Sequence, residues 1–164
     1  MRIRAIFAAI AVAAALPAQA FENELLGKRD IDVPEFKSEQ GMILLDDKGE
    51  QTEFAIEYGS YKKNAVLLLL RDTGERTKTE SIVFEIVQVL RVQKPKGLDL
   101  YTVGCYLKPG PDAPPGQYVL AFAAFKADGD GTPSALRGAW MFDWKTKKIV
   151  PVPEAGVDCR EPGD

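Results

Sequence analysis

Thr52-Glu53-Phe54-Ala55-Ile56-Glu57-Tyr58 is the stretch on which the fold turns. Phe54, Ile56 and Tyr58 share one side of an extended chain, and Glu53 and Glu57 share the other. A period of two marks a half-buried strand, because successive side chains of a strand point to opposite faces. Just upstream, Met42-Ile43-Leu44-Leu45-Asp46 reads as another strand, joined to the first by a hairpin turn at Asp47-Lys48-Gly49.

The same grammar continues downstream. Gly59-Ser60 is read as a turn, Val66 to Leu70 as a short buried strand, and Asp72-Thr73-Gly74-Glu75 as the next turn. Ile82 to Val92 is the longest strand candidate. Its β-branched density disfavours a helix and suits a pleated surface. Simple alternation puts Ile82, Phe84, Ile86, Gln88, Leu90 and Val92 on one face and Val83, Glu85, Val87 and Val89 on the other. Pro95 and Gly97 end this strand, and Leu98 to Leu107 follows. Gln117 to Lys126 is apolar on both faces, as expected of a central strand covered on both sides. Ala127–Pro133 turns the chain, Leu136 to Trp144 runs back, and Lys145-Thr146-Lys147 turns it into Ile149-Val150. Pro151 and Pro153 release an extended tail to Cys159. Roughly seven or eight short strands without a long amphipathic helix predict an all-β single domain, an antiparallel sandwich or small barrel. The alternative is an α+β fold with a short N-terminal helix around Glu22–Gly27.

Three segments divide the chain: a leader over residues 1–20, a polar lead-in over 21–41 and the β domain with its tail over 42–164. Arg2 and Arg4 open the leader, an unbroken apolar run extends from Ala5 to Leu16, and Ala18-Gln19-Ala20 supplies a small-x-small cleavage pattern. That combination predicts a cleavable secretory signal peptide, with the mature chain beginning near Phe21. The run falls short of the ~20 apolar residues needed to span a bilayer. No later run is longer, so no membrane insertion is expected. The style of the leader points to a periplasmic destination, with full secretion second.

Losing Arg2 and Arg4 takes the net charge from −3 to −5. A mildly acidic chain with interspersed signs argues against nucleic acid or anionic lipid as partner, since both favour a basic stripe.

Cys105 and Cys159 are the only cysteines, and export makes a disulfide their simplest state. Closing a loop of this size stabilises a fold by roughly 4 kcal/mol in the chain-entropy account. Redox chemistry would want a Cys-x-x-Cys spacing or an activating neighbour, and neither is present. The chain contains no histidine. This excludes Ser-His-Asp and Cys-His nucleophiles and imidazole-dependent zinc or copper sites. No cofactor or metal is implied.

Candidate sites remain. Asp128-Gly129-Asp130-Gly131-Thr132 echoes part of a calcium loop, but the closing twelfth position is Ala139 and no helices flank it. A tight turn is the reading taken. The loop from Lys108 to Gly116 carries Pro109, Pro111, Pro114 and Pro115, with Tyr106 and Tyr118 at its ends. Stiff loops on β scaffolds suit binding, because less ordering is lost on contact. Trp140, Phe142 and Trp144 share one face of a strand; the first two read as core, and Trp144, beside Lys145, Lys147 and Lys148, as the exposed one. Glu85 is a candidate general acid if its face is covered.

These features favour a non-enzymatic binding or inhibitor-like module that contacts an envelope protein partner through the proline loop, with Trp144 as a further contact. A carboxylate hydrolase centred on Glu85 and a cell-wall or carbohydrate binder using Trp144 are the alternatives. Oligomeric state is not legible, and no motif is specific enough to assign a family.

Overall fold

The computed structural model describes residues 22–108, 119–125 and 131–160, which form an all-β sandwich. The leader, Pro109, Pro111, Pro114, Pro115, Tyr118 and the Asp128–Asp130 turn lie outside the described residues.

The first sheet is an antiparallel meander in spatial order β1-β2-β3-β4, with β1 Lys37–Leu45, β2 Gln51–Tyr61, β3 Asn64–Arg76 and β4 Ile82–Val92. The second has the order β5-β7-β8-β9, with β5 Asp99–Tyr101, β7 Val119–Phe125, β8 Pro133–Asp143 and β9 Lys148–Val152. A separate two-stranded ribbon pairs β6, Cys105–Leu107, with β10, Val157–Cys159.

The sheets face each other across one apolar layer. Phe54, Ile56, Tyr58, Leu67 and Leu69 of the first sheet meet Leu120, Phe122, Phe142 and Ile149 of the second. The period of two in β2 is what places Phe54, Ile56 and Tyr58 in this layer. Rings fill its middle edge-to-face: Phe122 lies 5.8 Å from both Tyr58 and Trp140. Gln88 of β4 crosses the layer and acts as a strand partner for Ile149. Its Nε2 donates to the Ile149 carbonyl at 3.0 Å, and its Oε1 accepts from the Ile149 N–H at 2.7 Å.

Each sheet is also covered on its outer face. Residues 22–25 form one helical turn, and the chain from there to Phe36 lies across the first sheet. Leu25 and Val33 seal a second apolar cluster with Ala55, Tyr61, Val66, Leu68, Leu70, Ile86 and Val89. The lead-in also extends the sheet: Gly27 N–H donates to the Ile86 carbonyl and Ile86 N–H to the Lys28 carbonyl, both at 2.8 Å. On the opposite side the ribbon covers the second sheet. Cys105, Val157 and Cys159 pack on Val119, Ala121 and Ala139. The expected Cys105–Cys159 disulfide is formed between directly opposed residues. β7 is accordingly buried on both faces, as its sequence predicts.

Four local readings change, each for a physical reason. β1 begins at Lys37, inside the polar 21–41 segment, because Lys37 and Ser38 pair with Ser60 and Gly59 although their side chains are exposed. Gly59 and Ser60 therefore belong to β2 rather than to a turn, which falls at Lys62-Lys63. Gly59 is required by close approach: a Cβ there would collide with the Lys37 carbonyl and lie 2.7 Å from the Phe36 ring. Asp72 to Glu75 is an irregularity within β3, where the Asp72 carboxylate accepts from Gly74 N–H, and the chain reverses after Arg76. In β4 the register slips between the Leu69–Gln88 and Leu70–Ile86 pairs, leaving Val87 as an extra residue. A β-bulge of this kind shifts the phase of alternation. Phe84, Ile86 and Val89 consequently face the lead-in, whereas Val87, Leu90 and Val92 face the second sheet.

Candidate functional site

The outer face of the first sheet carries Glu57, one position along from the buried Ile56. Alternation turns its side chain away from the inter-sheet layer, and the lead-in then passes beside it. Between them lies a cleft of about 240 Å³ lined by Asp30, Ile43, Ala55, Glu57, Leu70 and Phe84 among others. Its charged lining is wholly acidic. A mostly apolar cleft holding a few polar groups is the usual character of a binding site.

Burial pushes the Glu57 carboxyl above its ordinary value. The neighbouring Asp30 charge acts in the same direction, and a hydrogen bond with Ser38 partly offsets both. Desolvation disfavours the charged form, and a second carboxylate adds repulsion. Asp30 is fixed in place, because its Oδ1 accepts from the Phe84 N–H at 3.0 Å. The Glu57 side chain packs over Gly41 of β1, where a Cβ would stand in ordinary contact 3.6 Å from the nearest Glu57 carbon. The cleft continues past Ile43 and Phe84 into an open groove bordered by Glu53, Asp72 and Arg76. There Arg76 is paired with Asp72 at 3.0 Å.

Glu85, the carboxylate singled out from the sequence, has a different setting. Its side chain is 34% exposed and accepts from Arg71 at 2.6 Å. The cover sought for Glu85 occurs at Glu57 instead, with Asp30 as a carboxylate neighbour. Sequence periodicity does place Glu57 opposite Phe54 and Ile56. What it lacks is any signal that residues 22–36 return over that face.

Trp144 is half-buried and packs on the inter-sheet cluster. Its ring meets Phe142 edge-to-face at 4.7 Å. Lys147, held at φ 54° in the β8–β9 turn, places its ammonium 5.0 Å from the Trp144 ring and 5.6 Å from Phe54. Asp143 braces that turn, accepting from Lys145 N–H at 2.9 Å and from the Thr146 hydroxyl at 2.6 Å, and these bonds lower its carboxyl pKa. Tyr106 is 40% exposed on the ribbon, opposite Asp158. Trp144 and Tyr106 thus stand on opposite faces of the second sheet and form no common surface.

Among the described residues no group of three or more Cys, Asp or Glu side chains is placed to hold a metal ion. No helix there is long and apolar enough to cross a membrane. The chain matches no protein-family model, and neither a curated protein nor a solved structure resembles it significantly.

Proposed function

We propose that this chain is an exported, non-enzymatic binding or inhibitor-like module that contacts a protein partner through the cleft beside Glu57. The observation that carries this reading is the lining of that cleft. Two acids line an apolar cleft and no Lys or Arg lines it with them. An arrangement that costs folding energy without an internal counter-charge fits an external one. The complementary occupant is a partner segment bearing an apolar side chain next to Lys or Arg. Export, to the periplasm first, rests on the leader at residues 1–20 and is compatible with the disulfide. Recovery of a mature chain starting at Phe21 in an osmotic-shock fraction tests the address.

The contact is tested with N-acetyl-Leu-Arg-Leu-amide, titrated into the ¹⁵N-labelled protein. Saturable amide shifts are expected at Gly41, Ala55, Glu57 and Phe84, absent with the Leu-Glu-Leu analogue and lost in Glu57→Lys. Equal responses from wild type and Glu57→Lys would sink the reading.

A carboxylate-based hydrolase is the second reading, and the pairing of Glu57 with Asp30 favours it over the Glu85 version. Turnover of an exported-hydrolase substrate that disappears in Glu57→Gln would establish it in place of the first.

A further inference from the structure

At the other end of the first sheet the charge reverses. An open groove of about 610 Å³ runs between the start of β3 and the chain leaving β4, lined by Lys63, Asn64, Arg91, Gln93 and Lys94 with two apolar residues. No acid lines it, although the chain as a whole carries net negative charge. Lys63 and Arg91 are exposed, and neither forms an ion pair or side-chain hydrogen bond with another described residue. Lys94 reaches only Glu39 at 3.9 Å and Asp99 at 3.7 Å, both at the long limit of ion pairing.

The backbone supplies an independent observation. Tyr61 and Asn64 pair across a two-residue hairpin whose central residues, Lys62 and Lys63, both lie in the left-handed region at φ 46° and 66°. Such a turn favours Asn-Gly, because a Cβ is strained there. The β1–β2 turn of the same sheet does use glycine, Gly49 at φ 81°. Lys62 is engaged within the fold, where its ammonium binds Glu24 of the lead-in at 2.5 Å and lies 5.3 Å from the Tyr61 ring. Lys63 is not. Lys63 lies in the same strained region yet forms no ion pair or side-chain hydrogen bond with another described residue, so its charge is unused within the fold.

We propose that this groove binds a phosphate-type oxyanion, with Arg91 as the forked donor and Lys63 and Lys94 as point charges. Lys94 shares its charge with Glu39 and Asp99, which leaves Lys63 and Arg91 without a counter-charge among the described residues, and a guanidinium matches the paired oxygens of a phosphate. The site is independent of the Glu57 cleft and stands or falls separately from it.

The test uses the ¹⁵N-labelled protein with inorganic phosphate, against chloride at equal ionic strength. Saturable shifts at Lys63, Asn64, Arg91, Gln93 and Lys94 are expected with phosphate alone. Lys63→Gly should raise the melting temperature by relaxing the turn, yet weaken phosphate about tenfold, and adding Arg91→Gln, to give the double variant, should weaken it further. Because Lys63→Gly favours the fold, loss of binding there is not loss of structure. Phosphate shifts that do not saturate below about 10 mM, or that survive the double variant unchanged, overturn the proposal. Sedimentation with phosphatidylglycerol vesicles but not phosphatidylcholine vesicles, abolished in the double variant, assigns the phosphate to a lipid headgroup. Phosphate binding without vesicle binding assigns it to a soluble ligand.

Discussion

The two sheets solve the same problem, an apolar outer face, in opposite ways. The first is covered by residues 22–36, which precede the strands and are held by packing, three backbone-directed hydrogen bonds and exposed ion pairs. The second is covered by the β6–β10 ribbon, closed by a disulfide and flanked by the Lys108–Gly156 and Arg160–Gly104 backbone bonds at 2.8 Å. The ribbon is small, with three residues in each strand, and would bury little surface without its covalent closure. The lead-in needs no crosslink because Leu25, at 0% exposure, anchors its helical turn in the sheet. One cover is therefore closed covalently, and the other is held by non-covalent contacts alone. The acid-lined cleft lies beside the non-covalent one.

The sharpest way to break this comparison is to remove the crosslink. The Cys105→Ala, Cys159→Ala double variant should lose about 4 kcal/mol in urea unfolding, with early exposure of the second sheet. A loss under about 1 kcal/mol would mean that packing holds the ribbon and the two covers are alike.

Leu25→Ala should cost about 3 kcal/mol, the range for emptying a buried leucine site. Hydrogen exchange should rise at Gly27 and Ile86, whose amides the lead-in shares, while Cys105 and Cys159 stay protected. Uniform acceleration across both sheets would show that the lead-in opens only with the whole fold.

Gln88→Leu addresses the layer common to both. It leaves the Ile149 N–H and carbonyl without their partner, costing about 2 kcal/mol, and should lower both covers together. If only the lead-in loosens, the Gln88 clamp acts within the first sheet instead of between the two.

Glu57→Gln has a smaller effect of opposite sign. The folded-state carboxyl is raised, so its ionised form destabilises the fold, and the cost is relieved as pH falls through the folded value. The variant should melt above wild type at pH 7, and the advantage should disappear below the ordinary glutamate value of about 4.3. An advantage independent of pH would point to a packing effect rather than to charge.

Smallest of all, about 1 M salt should quicken exchange in the lead-in, where Glu24–Lys62 and Arg29–Asp32 are screened, and leave the ribbon unchanged. Equal exchange at low and high salt would remove those pairs from the account.

Much of this architecture was legible from local pattern. Phe54, Ile56 and Tyr58 face the core because alternation is a property of the strand itself. Val119 to Phe122 reads as covered on both sides because both sets of side chains are apolar, and Cys105 and Cys159 pair as export chemistry predicts. The misreadings share one cause. Gly59 carries the composition of a turn, yet its missing Cβ makes room for Phe36 and Lys37, residues distant in sequence. Val87 breaks alternation in β4 through a bulge set by the register of β3. Trp144 reads as exposed beside three lysines, but Phe142 packs against its ring and Lys147 folds over it.

The sequence by itself determined which side chains share a face, since strand periodicity is set within a few residues. Only the tertiary structure decided which of those faces are covered, because cover comes from chain far away. Asp30 of the lead-in lines a cleft with Glu57 on the outer side of β2, while the β2–β3 turn and the end of β4 bring Lys63 and Arg91 to one groove. Burial and electrostatics depend on what lies opposite, and alternation along one strand carries no information about that.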